Sequence, residues 1–161
     1  MKKSLIITII ALMVLVPLFW YLASPLFIDK TVNEELPANN QEIQNDEVEL
    51  KIVKQEVKYQ GNFIDADSFH KVKGSAKIVE IDNKNYLSLE NFESTNGPDL
   101  KVYLSEDLNA ESYVSLGDLK GNIGNQNYQI PDSADLEKYQ YVLIWCEQFS
   151  VLFGSAELKS N

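Results

Sequence analysis

From Ser4 to Ile28 the chain carries no charged residue, and this run constrains the fold more than any other feature. As a helix its 25 residues would reach about 37 Å, against a bilayer hydrocarbon core of roughly 30 Å. Such a run is too long and too uniformly apolar to serve as one face of a soluble domain. The competing reading is a cleaved leader, whose apolar region is about 7–15 residues and ends in a small-x-small site. Leu22-Ala23-Ser24 is the nearest match, with bulky Leu22 at a key position and Pro25 just after the bond to be cut. The expectation is therefore an uncleaved membrane anchor over residues 1–28. Lys2 and Lys3 would keep the N-terminus cytoplasmic, leaving the remainder extracellular or periplasmic. Trp20, Tyr21 and Phe27 sit where an interfacial aromatic belt would lie, and Pro17 is tolerated in a membrane helix.

Beyond Ile28 the composition turns acidic, with 12 Lys against 24 Asp and Glu, and no Arg anywhere in the chain. A domain this negative repels nucleic-acid phosphates, so no nucleic-acid partner is expected. Residues 29–57 are polar and poor in aromatics, a composition with little apolar surface to offset ordering entropy, and read as an acidic linker. Val48, Leu50, Ile52, Val53 and Val57 hint at a short ordered piece near its end, with helical and strand spacings equally satisfied.

Residues 58–161 are aromatic and turn-rich. Ser75–Ile81, the turn Asp82-Asn83-Lys84-Asn85, and alternating Leu87 and Leu89 predict a hairpin. Leu100, Val102 and Leu104 alternate with polar neighbours after the turn Asn96-Gly97-Pro98-Asp99. A short strand is expected around Tyr128–Ile130, an apolar central strand at Tyr141–Cys146, and a last strand between Phe149 and Leu158. No helical period longer than two turns occurs after residue 60. The expected fold is all-β, an antiparallel β-sandwich or closed barrel of about seven or eight strands.

The inventory for chemistry is small: one Cys, Cys146, and one His, His70. Structural zinc, blue-copper and iron–sulfur sites each need more such ligands than the chain has, and an internal disulfide is impossible, so no metal site is assigned. No nucleophile-elbow, phosphate-loop, dinucleotide-binding or zinc-protease motif is present, which argues against a stand-alone enzyme. Asn96-Gly97-Pro98-Asp99 offers oxygen ligands of the kind calcium takes, yet a turn with Asp99 capping backbone amides explains the same residues.

Five stretches in order carry a resemblance: Phe69-His70 with Gly74-Ser75-Ala76; Leu87 through Phe92; Thr95 through Ser105, containing Asn-Gly-Pro-Asp-Leu; Leu116 through Tyr128, containing Leu-Lys-Gly-Asn; and Val142 through Cys146 with Phe149 through Gly154. Together they resemble the electron-transfer domain family called DM-thirteen, a module found beside DOMON domains in cell-surface proteins. The likeness spans roughly residues 61–158 and leaves no room for a DOMON or cytochrome segment, so a redox partner protein would be another chain. The resemblance implies an all-β domain whose single cysteine does redox work, as a free thiol or as ligand to a prosthetic group such as haem. It places that role on Cys146. A functional reading of the residues adds His70 as a second ligand or proton partner and Trp145, alongside Phe149 and Phe153, as rings that could stack a planar cofactor. The residues themselves admit a plainer reading. Cys146 can be a small core hydrophobe, His70 a turn histidine bonded to Asp65 or Asp67, and the aromatics core packing, in a cofactor-free surface domain that binds a partner or ligand.

Overall fold

The computed structural model describes residues 2–23, 28–37 and 56–160. One helix, α1 (Lys2–Ala23), is followed by nine strands: β1 (Glu56–Asp65), β2 (Val72–Ile81), β3 (Lys84–Ser94), β4 (Leu100–Ser105), β5 (Tyr113–Asp118), β6 (Ile123–Gln129), β7 (Tyr141–Cys146), β8 (Val151–Glu157) and β9 (Lys159–Ser160). The strands run in the order β5-β4-β7-β8-β1-β2-β3-β6, every neighbouring pair antiparallel, with β9 added to β1. The result is an all-β, nearly closed barrel-like sheet of eight strands.

The hairpin β2–β3 turns through Asp82 and Asn83, both at positive φ, as the primed two-residue turn requires. Inward positions fill a single core. Ala76, Ile78, Leu87, Leu89, Val102, Leu104, Val142 and Ile144 are fully buried there, with Phe63 packed edge-on against Phe92. Strand β7 lies between β4 and β8 with Val142, Leu143 and Ile144 all buried, as its unbroken apolar run requires. Strand β1 bridges the two halves of the sheet, pairing with β2 through its first part and with β8 at Phe63↔Ala156. A Cβ at Gly61 would collide with the Glu157 carbonyl, so glycine permits the close approach.

Two strands depart from the sequence expectation. β1 carries too few buried apolar side chains to show an alternation, and β5 is a half-exposed edge strand. Strand β6 begins at Ile123, well before the expected strand around Tyr128–Ile130, and β8 begins at Val151 rather than Phe149.

Within the stretch read as an acidic linker, residues 29–37 lie along the free edge of β6. Val32 N–H donates to the Ile123 carbonyl (2.8 Å), Glu34 N–H to the Asn125 carbonyl (2.9 Å), and Ile123 N–H to the Lys30 carbonyl (3.3 Å). Thr31 and Ile123 form a parallel bridge. The Glu34 carboxylate accepts from Lys120 Nζ (2.8 and 3.0 Å) and from Asn127 N–H (2.9 Å). At the other end, Lys30 N–H donates to Asn122 Oδ1 (2.6 Å), and Asp29 accepts from the side-chain amides of Asn96 and Asn122. Gly124, at φ +103°, lets the Val32 carbonyl sit where a side chain would otherwise stand. The remainder of the expected linker up to residue 55, including Val48 through Val53, lies outside the described residues, as does Phe27 of the expected aromatic belt.

Helix α1 spans 22 residues with Pro17 inside it. Its described side chains, including Met13, Phe19 and Trp20, are exposed. Among the described residues no helix is long and apolar enough to cross a membrane.

Candidate functional site

At one end of the barrel four chain segments converge: the 66–71 loop between β1 and β2, the 95–99 turn between β3 and β4, the end of β7, and the start of β8. Cys146 is the last residue of β7, paired in register with Leu100 on one side and Val151 on the other. It is 1% exposed and its thiol is free. The Glu147 N–H donates to the Asp99 carbonyl (2.9 Å), fixing the 95–99 turn against the strand end. The β7–β8 ladder shifts register between Ile144 and Trp145, so that Ile144 faces Gly154 while Trp145 faces Leu152. Phe153 is the extra residue of that bulge, and bulges re-aim side chains. Its ring packs against His70, centroids 4.3 Å apart.

His70 is held by its own loop. Asp67 Oδ1 accepts the backbone N–H groups of Phe69 (2.7 Å) and His70 (2.8 Å), an Asx turn. Asp67 Oδ2 meets His70 Nδ1 at 2.7 Å. These bonds, led by that from the His70 ring, hold the Asp67 carboxyl down at about 2. An ionised carboxylate only accepts, so Nδ1 carries the proton in this pair and Nε2 is left for another partner. Asp65 clamps the far side of the loop, accepting from Val72 N–H (2.8 Å) and Lys71 Nζ (3.0 Å).

The convergence encloses a cavity of about 370 Å³ lined by Phe69, His70, Thr95, Asn96, Gly97, Pro98, Cys146, Phe149, Val151 and Phe153. Its volume falls in the range of small-molecule sites, about 300–1,000 Å³. Two rings at its rim stand out into solvent, Phe69 at 83% and Phe149 at 64% exposed. No Lys, Arg, Asp or Glu lines it. The Asp67 carboxylate lies behind His70, and beyond the 95–99 turn Lys101 pairs with Asp99 (2.9 Å), Asp118 (2.6 Å) and Glu147 (3.5 Å). Hydrogen bonds from Lys101 to Asp118 and Asp99 raise its pKa above the ordinary lysine value. Asp99 therefore spends its carboxylate on Lys101, not on capping backbone amides as the turn suggested. A larger cavity of about 670 Å³ nearby is lined by charges already paired with each other, among them Asp65–Lys71 and Lys73–Glu93. Among the described residues no group of three or more His, Cys, Asp or Glu is arranged to hold a metal ion.

The structure thus brings the chain's one cysteine and one histidine to the same cavity, with Phe149 and Phe153 beside them. Trp145 is not among the lining residues. Sequence reasoning passed over Phe69 and Pro98 as site residues. Phe69 had a signal, a large ring in a loop of Asp, Ser and Lys where nothing in the sequence could cover it.

Residues 62–158 match the family described as Electron transfer DM13, and the chain belongs to that family. No curated protein and no solved structure matches it.

Proposed function

We propose that this chain is a membrane-anchored, extracytoplasmic electron-transfer domain whose site is the cavity holding Cys146 and His70. The observation that carries the reading is their convergence: two residue types that each occur once come together from segments 76 positions apart. Family membership supplies the redox expectation, and the cavity supplies a thiol on which it can act.

The residues divide the work. Cys146 provides the sulfur, shielded from other proteins by its depth yet open to small molecules that enter the cavity. His70, oriented through Nδ1 by Asp67, presents Nε2 as a proton acceptor or ligand. Phe69, Phe149 and Phe153 keep the site apolar. A haem matches this lining poorly. Its two propionates would meet no Lys or Arg, and the macrocycle is large for a space at the low end of the small-molecule range.

The anchor is supported by the uncharged run from Ser4 to Ile28. Lys2 and Lys3 orient it with the barrel outside. The apolar side chains of α1 are exposed along their described length, leaving the helix in need of an apolar surrounding.

The test uses the full chain in detergent, offered bis(2-hydroxyethyl) disulfide. Exchange forms a mixed disulfide on Cys146 and releases one mercaptoethanol, read by mass. We expect exchange in the folded protein, and a changed pH profile of its rate in His70→Ala. A thiol that reacts only after denaturation would make Cys146 core packing and overturn the reading.

A further inference from the structure

The cavity also indicates what enters it. Its lining includes three phenylalanine rings, the cysteine, and an imidazole whose Nε2 has no partner among the described residues. Aromatic rings favour stacking against a bound ring beyond the area they bury. With no charged side chain on the lining, an ionised ligand would be desolvated without compensation. A neutral, flat ring with a hydroxyl or carbonyl at its edge satisfies every wall, the edge oxygen meeting His70 Nε2.

The chain's path says where such a ligand comes from. Asn96, Gly97 and Pro98 form one wall of the cavity, and their other side lines a second cavity of about 530 Å³ together with Ile28, Asp29 and Lys30. Asp29 is bonded to Asn96 itself (2.9 Å). Only five peptide steps separate Ala23, the last residue of α1, from Ile28, and five residues reach at most about 18 Å. A helix seated in the bilayer would therefore hold the cavity's rim, with exposed Phe69 and Phe149, close to the membrane surface.

We infer that the cavity binds the head ring of a quinone or quinol drawn from the membrane. This rests on the redox and membrane-anchor readings above and names the site's small-molecule partner. The claim is one of binding.

The chain's single histidine makes the test clean. The full chain, without a polyhistidine tag, is placed in lipid nanodiscs, and the imidazole resonances of His70 are followed by NMR during titration with decylubiquinone or duroquinone. Both rings are fully substituted, so neither can add to the Cys146 thiol. We expect saturable shifts with both, binding at least tenfold tighter for the lipid-partitioning decylubiquinone, and at least a tenfold loss of affinity in Phe149→Ala and in Phe69→Ala. Resonances unmoved by either compound up to its solubility limit would overturn the inference. If disulfide exchange at Cys146 persists in that case, the redox site stands and only its ligand is wrong. Equal or tighter binding of duroquinone would refute the membrane as source. Ring binding without exchange at Cys146 would uphold the ligand and remove the thiol role.

Discussion

The segment along β6 can be tested through a single methylene-sized change. In Gly124→Ala the new Cβ would occupy the position of the Val32 carbonyl oxygen, and the Val32 backbone contact is rigid, so the segment must lift. Lifting it breaks the two backbone hydrogen bonds nearest the collision, Val32 N–H to Ile123 O and Ile123 N–H to Lys30 O. At about 1 kcal/mol net each, this costs about 2 kcal/mol. Holding alanine at φ +103° adds about 1–2 kcal/mol. The sum, about 3–4 kcal/mol, is a sizeable part of a typical stability of about 5–15 kcal/mol. With a urea slope of about 1–3 kcal/mol/M, the midpoint should fall by at least about 1 M. Tryptic cleavage after Lys30 separates the two contributions, because it reads only the lifting. A loss of 2 kcal/mol in local protection accelerates cutting about 30-fold when opening is fast. Glu34→Gln should cost stability in the parent chain and nothing further in Gly124→Ala. A Gly124→Ala protein with Lys30 as protected as before would refute the docking of residues 29–37.

Three further outcomes follow from the geometry. Glu34 is pushed up by partial burial, but hydrogen bonds from Lys120 and Asn127, with the Lys120 charge, outweigh this and hold it below its ordinary value of 4.5. A depressed folded pKa means its contribution is full above that value and fades as pH falls through the lowered one. Cleavage after Lys30 should accordingly quicken in that acid window, and should show no such pH step in Glu34→Gln. The Asp67 carboxyl should titrate near 2 by carbon-13 NMR, and in His70→Ala it should move up towards its ordinary 3.8; no movement would remove the Asp67–His70 bond. In thermal unfolding, Cys146→Ala should cost about 1 kcal/mol as a small buried truncation. Cys146→Ser should cost more, since its hydroxyl would sit unpartnered in the same apolar place.

How far the sequence could be read depends on whether a feature is local. Strands β2, β3, β4 and β7 announce themselves because their burial alternates or runs unbroken within a few residues. β1 does not, because its job is to join the two halves of the sheet and its partners, Glu157 and Lys159 among them, lie almost a hundred residues away. The docked segment carried a faint alternation, Val32, Glu34 and Leu36 half-buried between exposed neighbours, but its acidic composition pointed to a tether. The cavity was the least legible part. His70 reads locally as a turn residue, and it is one. That this turn shares a cavity with Cys146 follows from long-range topology and from the one-residue bulge at Phe153, whose ring packs on His70. Trp145, adjacent to Cys146 in sequence, fell away for an equally simple reason: neighbours on a strand face opposite sides.

The order in which the chain is made adds one more consequence. Phe63 waits for Ala156, and the cavity takes two of its walls, Val151 and Phe153, from β8, near the C-terminal end of the barrel. Contacts of such sequence separation form late and slowly. Until β8 has been synthesised and has paired, the nascent domain is an unclosed sheet, and Cys146, already emerged, has only one of its two strand neighbours. The sulfur is therefore most vulnerable to oxidants and stray disulfides during biogenesis. A chain truncated before Val151 would leave that thiol uncovered permanently, so quality control of this small barrel amounts to checking that its last dozen residues have arrived.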